Sequence, residues 1–238
     1  MRIKLTGLYA LAFASTCSFA GQFQNLDFDA ATTNITIGLP PDQGAGYGST
    51  SDLLPGWQLL QGTGPVSLVG LNLNPISLGV ASIYDHDSQG FPASVLGRYS
   101  LGLYPGYNLI FDYQPFSLQQ TGDIGANMQT IRFLNYGSPF EVMVNGTRIS
   151  LTYEYQPGSP DLDTRQAIVT GDISAFAGQT VQLKFTTMDI AGSAVNGLDN
   201  IEFSTQIVPE PRATTFVLAG LMVLALQLRP RGTQQNLR

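Results

Sequence analysis

Short runs in which apolar and polar residues alternate recur along most of this chain, and turn-forming residues separate them. Alternation with a period of two predicts strands with one buried face, and Gly or Pro in nearly every gap predicts tight turns. Outside the two termini, no segment keeps helical spacing over three turns. The pattern therefore predicts an all-β, antiparallel β-sandwich. The predicted strands are 66–71, 79–84, 99–104, 108–113, 128–135, 166–170, 180–187 and 198–204.

The sequence predicts one hairpin with particular clarity. Asn145-Gly146 separates two strand-like runs, 140–144 and 147–155. Both turn residues accept the positive φ that a two-residue hairpin turn requires. The second run is expected to place four apolar or aromatic residues on one face of a single strand: Ile149, Leu151, Tyr153 and Tyr155.

Further segments refine the sandwich. Asp172 can cap a single helical turn, after which Gly178 returns the chain to an extended strand. An opening strand is expected at 25–29 and a closing strand at 197–203, while Trp57 is expected to anchor the core. These segments lie in one predicted domain, because a chain of this length can bury a sizeable core without a second domain.

The N-terminus has the pattern of a secretory signal peptide, residues 1–20. Two basic residues precede an apolar stretch at 5–19, and Ala20 suits a cut before Gly21. Cys17, the only cysteine of the chain, lies in this leader, and the residues before it lack the leucine of a lipidation signal. The mature chain would then contain no cysteine, which excludes disulfides and thiolate metal sites.

The C-terminus combines a rigid Pro-rich tetrapeptide, an apolar run at 213–228 and a basic end. We expect the last residues, 232–238, to form a short cytoplasmic tail. As a helix, the apolar run would be about 24 Å long. Because a bilayer core is about 30 Å thick, we expect a weak transmembrane helix with transient membrane contact. An ordinary anchor helix that stays uncut is the alternative. The residues that define the segment are Val208, Pro209, Glu210, Pro211, Arg229 and Arg231.

Residues 208–231 resemble the PEP-CTERM sorting signal of Gram-negative bacteria. The resemblance implies recognition by an exosortase in the inner membrane and processing near the Pro-Glu-Pro sequence. It implies an inner-membrane anchor before processing, and then delivery to the cell surface or the extracellular matrix of a biofilm. The resemblance concerns where the protein is delivered, and it implies nothing about its activity.

The part between the termini, residues 21–207, is strongly acidic. It contains sixteen acidic and five basic residues, a formal net charge of −11. Such a surface repels phosphate backbones, so nucleic acid is excluded as a partner. It is compatible with divalent cations and with neutral polysaccharides.

Four stretches together resemble galactose-binding-like jelly rolls, a group that includes carbohydrate-binding modules: 25–29, 54–57, 171–185 and 197–203. The resemblance implies that the sandwich is a jelly roll. The fold alone does not name a ligand, since such folds serve many functions.

In modules of this kind, a carboxylate near the first strand and one in the last strand often flank a structural calcium ion. The matching residues here are Asp27, Asp29 and Asp199. Calcium takes about six to eight oxygen ligands, so carbonyl groups and water would have to complete the shell. The alternative is that Asp199 only caps the turn before the last strand.

A second acidic cluster contains the only histidine. Asp85 and Asp87 flank His86, and in a strand the two carboxylates would share one face while the imidazole points away. A third and fourth metal ligand at recognisable spacing are missing from the sequence. We interpret the cluster as a solvated loop after the strand 79–84.

The sequence offers no pair of carboxylates for glycan cleavage, and no catalytic residue is assigned. Such catalysis needs two carboxyl groups at a defined separation. Glu141, Glu154 and Glu202 are the only glutamates of the domain, and each is expected to face outward from a separate strand.

The chain is therefore predicted to be a non-enzymatic, structural or adhesive component of the surface or matrix. The alternative is a module that binds exopolysaccharide. A glycan-active enzyme is a further, less favoured alternative. Aromatic rings stack on sugars, although tyrosines at alternating strand positions often belong to the core. The aromatic candidates are Trp57, Tyr99, Tyr104, Tyr107, Tyr113, Tyr136, Tyr153 and Tyr155.

Overall fold

The structure is a computed structural model. It describes seven ranges of the chain: 21–38, 45–73, 80–87, 97–107, 113–156, 166–188 and 195–206. No helix within these ranges is long and apolar enough to cross a membrane. The predicted signal peptide, the sorting segment 208–231 and most of the predicted strand 108–113 lie outside the described residues.

The described residues fold into strands and one short helix, α1, at Thr50–Leu53. The strands are β1 (Ile37–Gly38), β2 (Gly46–Ser49), β3 (Gln58–Gln61), β4 (Gly64–Pro65), β5 (Leu68–Leu71), β6 (Val80–Asp85), β7 (Tyr99–Tyr104), β8 (Gly106–Tyr107), β9 (Tyr113–Gln114), β10 (Phe116–Asp123), β11 (Thr130–Gly137), β12 (Phe140–Val144), β13 (Thr147–Arg148), β14 (Leu151–Tyr155), β15 (Gln166–Asp172), β16 (Thr180–Thr187) and β17 (Asn196–Ser204).

Two sheets form a β-sandwich, as the alternation predicts. The larger sheet has the order β1-β2-β5-β6-β7-β17-β11-β15-β14, and the smaller one has the order β13-β12-β16-β10-β3-β4. A separate two-stranded ribbon joins β8 and β9. The pairs are antiparallel except for β5 and β6, which run parallel. The predicted antiparallel arrangement is therefore confirmed with this one exception.

Aromatic side chains join the two sheets at the centre of the sandwich. Phe185 on β16 has its ring centroid 5.2 Å from that of Phe133 on β11, with the rings edge to face. Phe140 and Trp57 lie 6.1 Å and 6.3 Å from the same ring. Trp57 is 5% exposed, and its Nε1 donates a hydrogen bond to the carbonyl of Asn25. Trp57 is thus the core anchor that the sequence predicts.

The predicted opening strand at 25–29 is wrong, because this segment folds as turns. Asn25 and Phe28 have φ values of 50° and 60°, which a strand cannot accommodate. The Asn25 side chain accepts a hydrogen bond from the backbone of Ala30 and so closes the loop on itself. Phe28 is fully buried and stacks on Trp57 at 6.1 Å.

The predicted hairpin turn is confirmed, but its second arm is not one strand. Asn145 and Gly146 have φ values of 49° and 76°, as the turn requires. The arm then pairs with β12 over the two residues of β13, and the backbone N–H of Ile149 donates one more hydrogen bond, to the carbonyl of Val142. Ile149 turns into the core, and the chain crosses to the larger sheet, where β14 pairs with β15. Burial of Ile149 between the sheets thus divides the predicted strand.

The helical turn after β15 agrees with its sequence signals. Asp172 accepts a hydrogen bond of 2.8 Å from the backbone of Ser174, where a single 3-10 turn, Ser174–Phe176, begins. Ile173 is fully buried, and Gly178 leaves the turn with φ of 74°.

Replacement of Phe185 by Ala should lower the free energy of unfolding by about 3–5 kcal/mol, because it empties a buried site between both sheets. Urea unfolding followed by the fluorescence of Trp57, the only tryptophan, measures the change. Lys184→Ala is the matched control, since this neighbour faces away from the core and should cost less than about 0.5 kcal/mol. Similar losses in both variants would contradict the packing described here.

Candidate functional site

Asp199 lies at an irregularity of β17, the strand in the middle of the larger sheet. The pairing of β17 with β11 shifts register between Arg132 and Leu134, and Asn200 has φ of 46°. Just beyond this bulge, the backbone N–H of Ile201 donates a hydrogen bond of 2.9 Å to the carbonyl of Leu26. The first described segment of the chain is thereby tied to its last strand beside Asp199.

The Asp199 carboxyl is fully buried and only half satisfied. Its Oδ1 accepts a hydrogen bond of 2.7 Å from the backbone of Asn200, whereas its Oδ2 has no hydrogen-bond partner among the described residues. Burial raises the pKa of Asp199 to about 8; the hydrogen bond from Asn200 opposes this, and the charges of Asp29 and Asp27 add to it. A charged carboxylate at this position is therefore costly unless a cation balances it.

Asp29 holds the loop against the start of β7. Its Oδ1 accepts hydrogen bonds of 2.9 Å from the backbone N–H groups of both Arg98 and Tyr99. A Cβ at Gly97, where φ is 84°, would lie 2.6 Å from Asp29 Oδ2, so glycine permits this close approach. Asp27 accepts a hydrogen bond of 3.2 Å from the backbone of Asp29.

We call Asp27, Asp29 and Asp199 the acidic junction. The loop that carries Asp27 and Asp29 meets the strand that carries Asp199, because Leu26 in the loop and Ile201 on β17 share a backbone hydrogen bond. The three aspartates do not form a compact metal-binding cluster, and in the described ranges no group of three or more His, Cys, Asp or Glu residues is placed to hold a metal ion. A cation at the unsatisfied, buried Oδ2 of Asp199 would need carbonyl groups and water as its further oxygen ligands. The hydrogen bond from Asn200 is also what a turn cap alone would show.

The interpretation of the second acidic cluster as a solvated loop is wrong for Asp85, which is the last residue of β6 and is 8% exposed. Its two carboxylate oxygens accept hydrogen bonds of 3.3 Å and 3.1 Å from Arg98. Burial raises the pKa of Asp85, but hydrogen bonds from Arg98 and from the backbone of Asp87 outweigh it, and the net pKa lies below its ordinary value. Asp87 is exposed and also approaches Arg98, at 3.5 Å, so the shared face of the two carboxylates is confirmed.

His86 points to the opposite face of the larger sheet. Its Nε2 lies 3.0 Å from Ser100 Oγ, which in turn lies 3.3 Å from the hydroxyl of Tyr136. A serine–histidine site needs a carboxylate that orients the imidazole. Asp85 is directed to Arg98 on the other side of the strand, so it does not take that role.

The three glutamates lie on separate strands, as the sequence predicts: Glu141 on β12, Glu154 on β14 and Glu202 on β17. Glu141 pairs with Arg148 and Glu202 pairs with Arg132, each at 3.4 Å. No two of these carboxyl groups share an element of the sandwich.

The tyrosines differ widely in exposure. Tyr99 is 4% exposed and belongs to the core, while Tyr136 covers Gly197, where a Cβ would lie 2.0 Å from the ring. Tyr155 on the edge strand β14 is 51% exposed, and its ring stacks on that of Tyr153 with centroids 6.1 Å apart. The side chains of Tyr107 and Tyr113 lie outside the described part of the structure.

Comparison with known proteins adds little to this geometry. No family model matches the chain, and no curated protein matches it. A similar solved structure is the enzymatically active domain of tailspike protein 4 of bacteriophage CBA120, at 10% sequence identity and a TM-score of 0.34. The similarity covers 63% of this chain and 19% of that chain. A likeness this weak carries no argument about activity.

Asp199 should give the stability of the protein a distinctive pH dependence. Since its pKa is raised in the folded state, the folded protein binds one more proton than the unfolded chain between about pH 4 and its folded pKa of about 8. In a chelator, the free energy of unfolding should therefore fall as the pH rises through this window. Asp199→Asn should abolish that fall and be more stable than wild type at the upper end by about 2–5 kcal/mol.

Chemical denaturation at several pH values, in the presence of EGTA, measures this effect. Asp123→Asn, which neutralises an exposed carboxylate, is the control and should follow the wild-type profile. A wild-type stability that stays flat or rises through the window would contradict the account of Asp199.

Proposed function

We propose that this protein is an exported, non-enzymatic component of the cell surface or extracellular matrix, with a structural or adhesive role. In this proposal an exosortase sorts the chain through residues 208–231, and the β-sandwich is a jelly roll.

One observation carries the proposal. Asp199 is a fully buried carboxyl with an unsatisfied oxygen, at the point where the first described segment meets the last strand. Extracellular modules commonly bind calcium with Kd values of about 10⁻⁴–10⁻³ M. A calcium ion held by Asp199, with Asp27 or Asp29 in support, would neutralise this carboxylate and secure the loop to β17. Such a device suits a passive domain that works outside the cell.

Calcium at about 1 mM should raise the thermal unfolding midpoint of the wild-type protein by about 1–6 °C, because binding to the folded state alone stabilises it. Asp199→Asn should lose this shift, although the same substitution is expected to stabilise the calcium-free protein. Differential scanning fluorimetry with calcium, magnesium and EGTA measures both effects. An equal calcium shift in Asp199→Asn and Asp123→Asn would rule out the acidic junction as the binding site.

The sorting proposal predicts a specific covalent product. Intact-mass analysis of the exported protein should find a chain that begins at Gly21 and ends near Pro209–Pro211. Replacing Pro209 and Pro211 by Ala should leave the uncut chain in the inner membrane, because the rigid recognition sequence is lost. Replacing Pro230 by Ala is the control and should not change processing. Recovery of the full-length chain from the cytosol would overturn the proposal.

A second candidate function is recognition of exopolysaccharide, which would supply the adhesive role with a partner. The observation that favours it is the pair of stacked tyrosines on β14, of which Tyr153 is half-buried and Tyr155 is exposed.

A further inference from the structure

A groove opens along one side of the sandwich, where the edge of the smaller sheet faces the edge of the larger one. It lies where the chain crosses from β13 to β14, so backbone from both sheets forms its walls. Its volume is about 470 Å³, within the range of about 300–1,000 Å³ that is typical of ligand clefts. The lining includes Phe140, Glu141, Arg148, Leu151, Tyr153 and Met188.

One wall of the groove is aromatic. Tyr153 is half-buried and lines it, with its hydroxyl donating a hydrogen bond of 3.3 Å to the carbonyl of Phe140. Tyr155 lies two residues further along the same face of β14, beside the lining residues, and its ring stacks on that of Tyr153 with an inclination of 20°. The ring of Tyr155 is half exposed although its strand is well paired on the other side. An aromatic ring that is half exposed can stack on another flat apolar face.

The other wall is polar and close to neutral. Glu141 and Arg148 form an ion pair at 3.4 Å, and Arg148 keeps 65% of its side chain exposed. The guanidinium lies near the phenol of Tyr153: burial is the main cause that raises the pKa of this phenol, and the Arg148 charge lowers it. Donors from Arg148 and acceptors from Glu141 thus converge beside the aromatic wall, the combination that sugar hydroxyl groups and a pyranose face would satisfy.

The charges select among possible occupants. The sorted domain carries a formal net charge of −11, which disfavours an anionic polymer, and the ion pair leaves no excess charge at the groove. We propose that this groove, which Tyr153 and the ion pair Glu141–Arg148 line and beside which Tyr155 extends the aromatic surface, binds a neutral polysaccharide chain.

The site rests on the adhesive role under the proposed function and gives it a chemical partner. Affinity electrophoresis of the full-length protein in gels that contain dextran, galactomannan or mixed-linkage β-glucan tests it, with alginate as an anionic comparison. The wild type should be retarded by at least one neutral polymer and not by alginate. Tyr155→Ala and Arg148→Gln should each weaken the apparent affinity about tenfold.

Two matched controls distinguish the groove from a general effect of lost side chains. Tyr47→Ala removes a half-buried tyrosine of β2, near the opposite edge of the same sheet, and Arg132→Gln breaks an ion pair of the same length, 3.4 Å. Both controls should stay within about twofold of wild type, as surface substitutions away from a binding site do. Equal losses in the controls and the groove variants would overturn the proposal.

Two further outcomes would also overturn it. If no neutral polymer retards the wild type, the groove does not bind polysaccharide, whereas the matrix role still depends on the processing experiment. If Tyr155→Ala instead abolishes a concentration-dependent dimer in size-exclusion chromatography, a second copy of this chain occupies the groove through the edge of β14. Retention of binding with an uncut cytosolic chain would leave the groove proposal standing and remove the sorting one.

Discussion

The contact between the first described segment and β17 is the constraint on which the rest of the sandwich depends. The turn at 25–31 has no sheet partner of its own, yet it places Phe28 against Trp57 in the core and ties Leu26 to Ile201. Asp29 fastens the same turn to the start of β7. One short segment therefore links the aromatic centre, the bulge of the last strand and the neighbouring strand of the larger sheet.

This constraint also explains why a carboxyl is buried where it is. Strands of a sandwich normally place apolar residues at buried positions, and a half-satisfied Asp199 works against stability while it is charged. Two roles would offset the cost of burying this carboxylate. It can hold a cation, or it can accept the hydrogen bond from Asn200 that shapes the bulge. The pH and calcium dependences of stability separate these roles, because a turn cap alone responds to pH but not to calcium.

Much of the fold follows from the sequence because the β-period is strong where residues face the core on one side. The strands that include Leu101, Val181 and Ile201 all occur where the alternation predicts them. The strand β10 was not predicted, because its polar residues weaken the alternation; even the inward position Gln120 is polar, and its amide bonds to the backbone of Gln24. The break at Ile149 could not be predicted either, since an apolar residue that changes sheets looks the same in sequence as one that stays in its strand.

The acidic junction was partly predictable. The resemblance singles out the three aspartates, and their role as calcium ligands stays a prediction; the structure shows that the loop of Asp27 and Asp29 is tied to β17 near Asp199. The turn that brings Asp27 and Asp29 there was mistaken for a strand, because a positive φ at Phe28 has no signal in the residue type. The tyrosine pair appeared in sequence only among many tyrosines. Its distinction comes from the place of β14 at the end of the larger sheet, as far as the strands are described, and this place depends on contacts distant in sequence.

The position of β17 determines the order in which this domain can be completed. The strands on its two sides, β7 and β11, belong to different parts of the chain, and in the larger sheet β17 is what joins them. Because β17 is the last described strand to emerge during synthesis, a nascent chain holds two half-sheets that lack their common neighbour. Folding must wait for these distant segments to meet, which makes it slow. A chain whose larger sheet is completed this late remains incompletely folded until nearly all of it has been made.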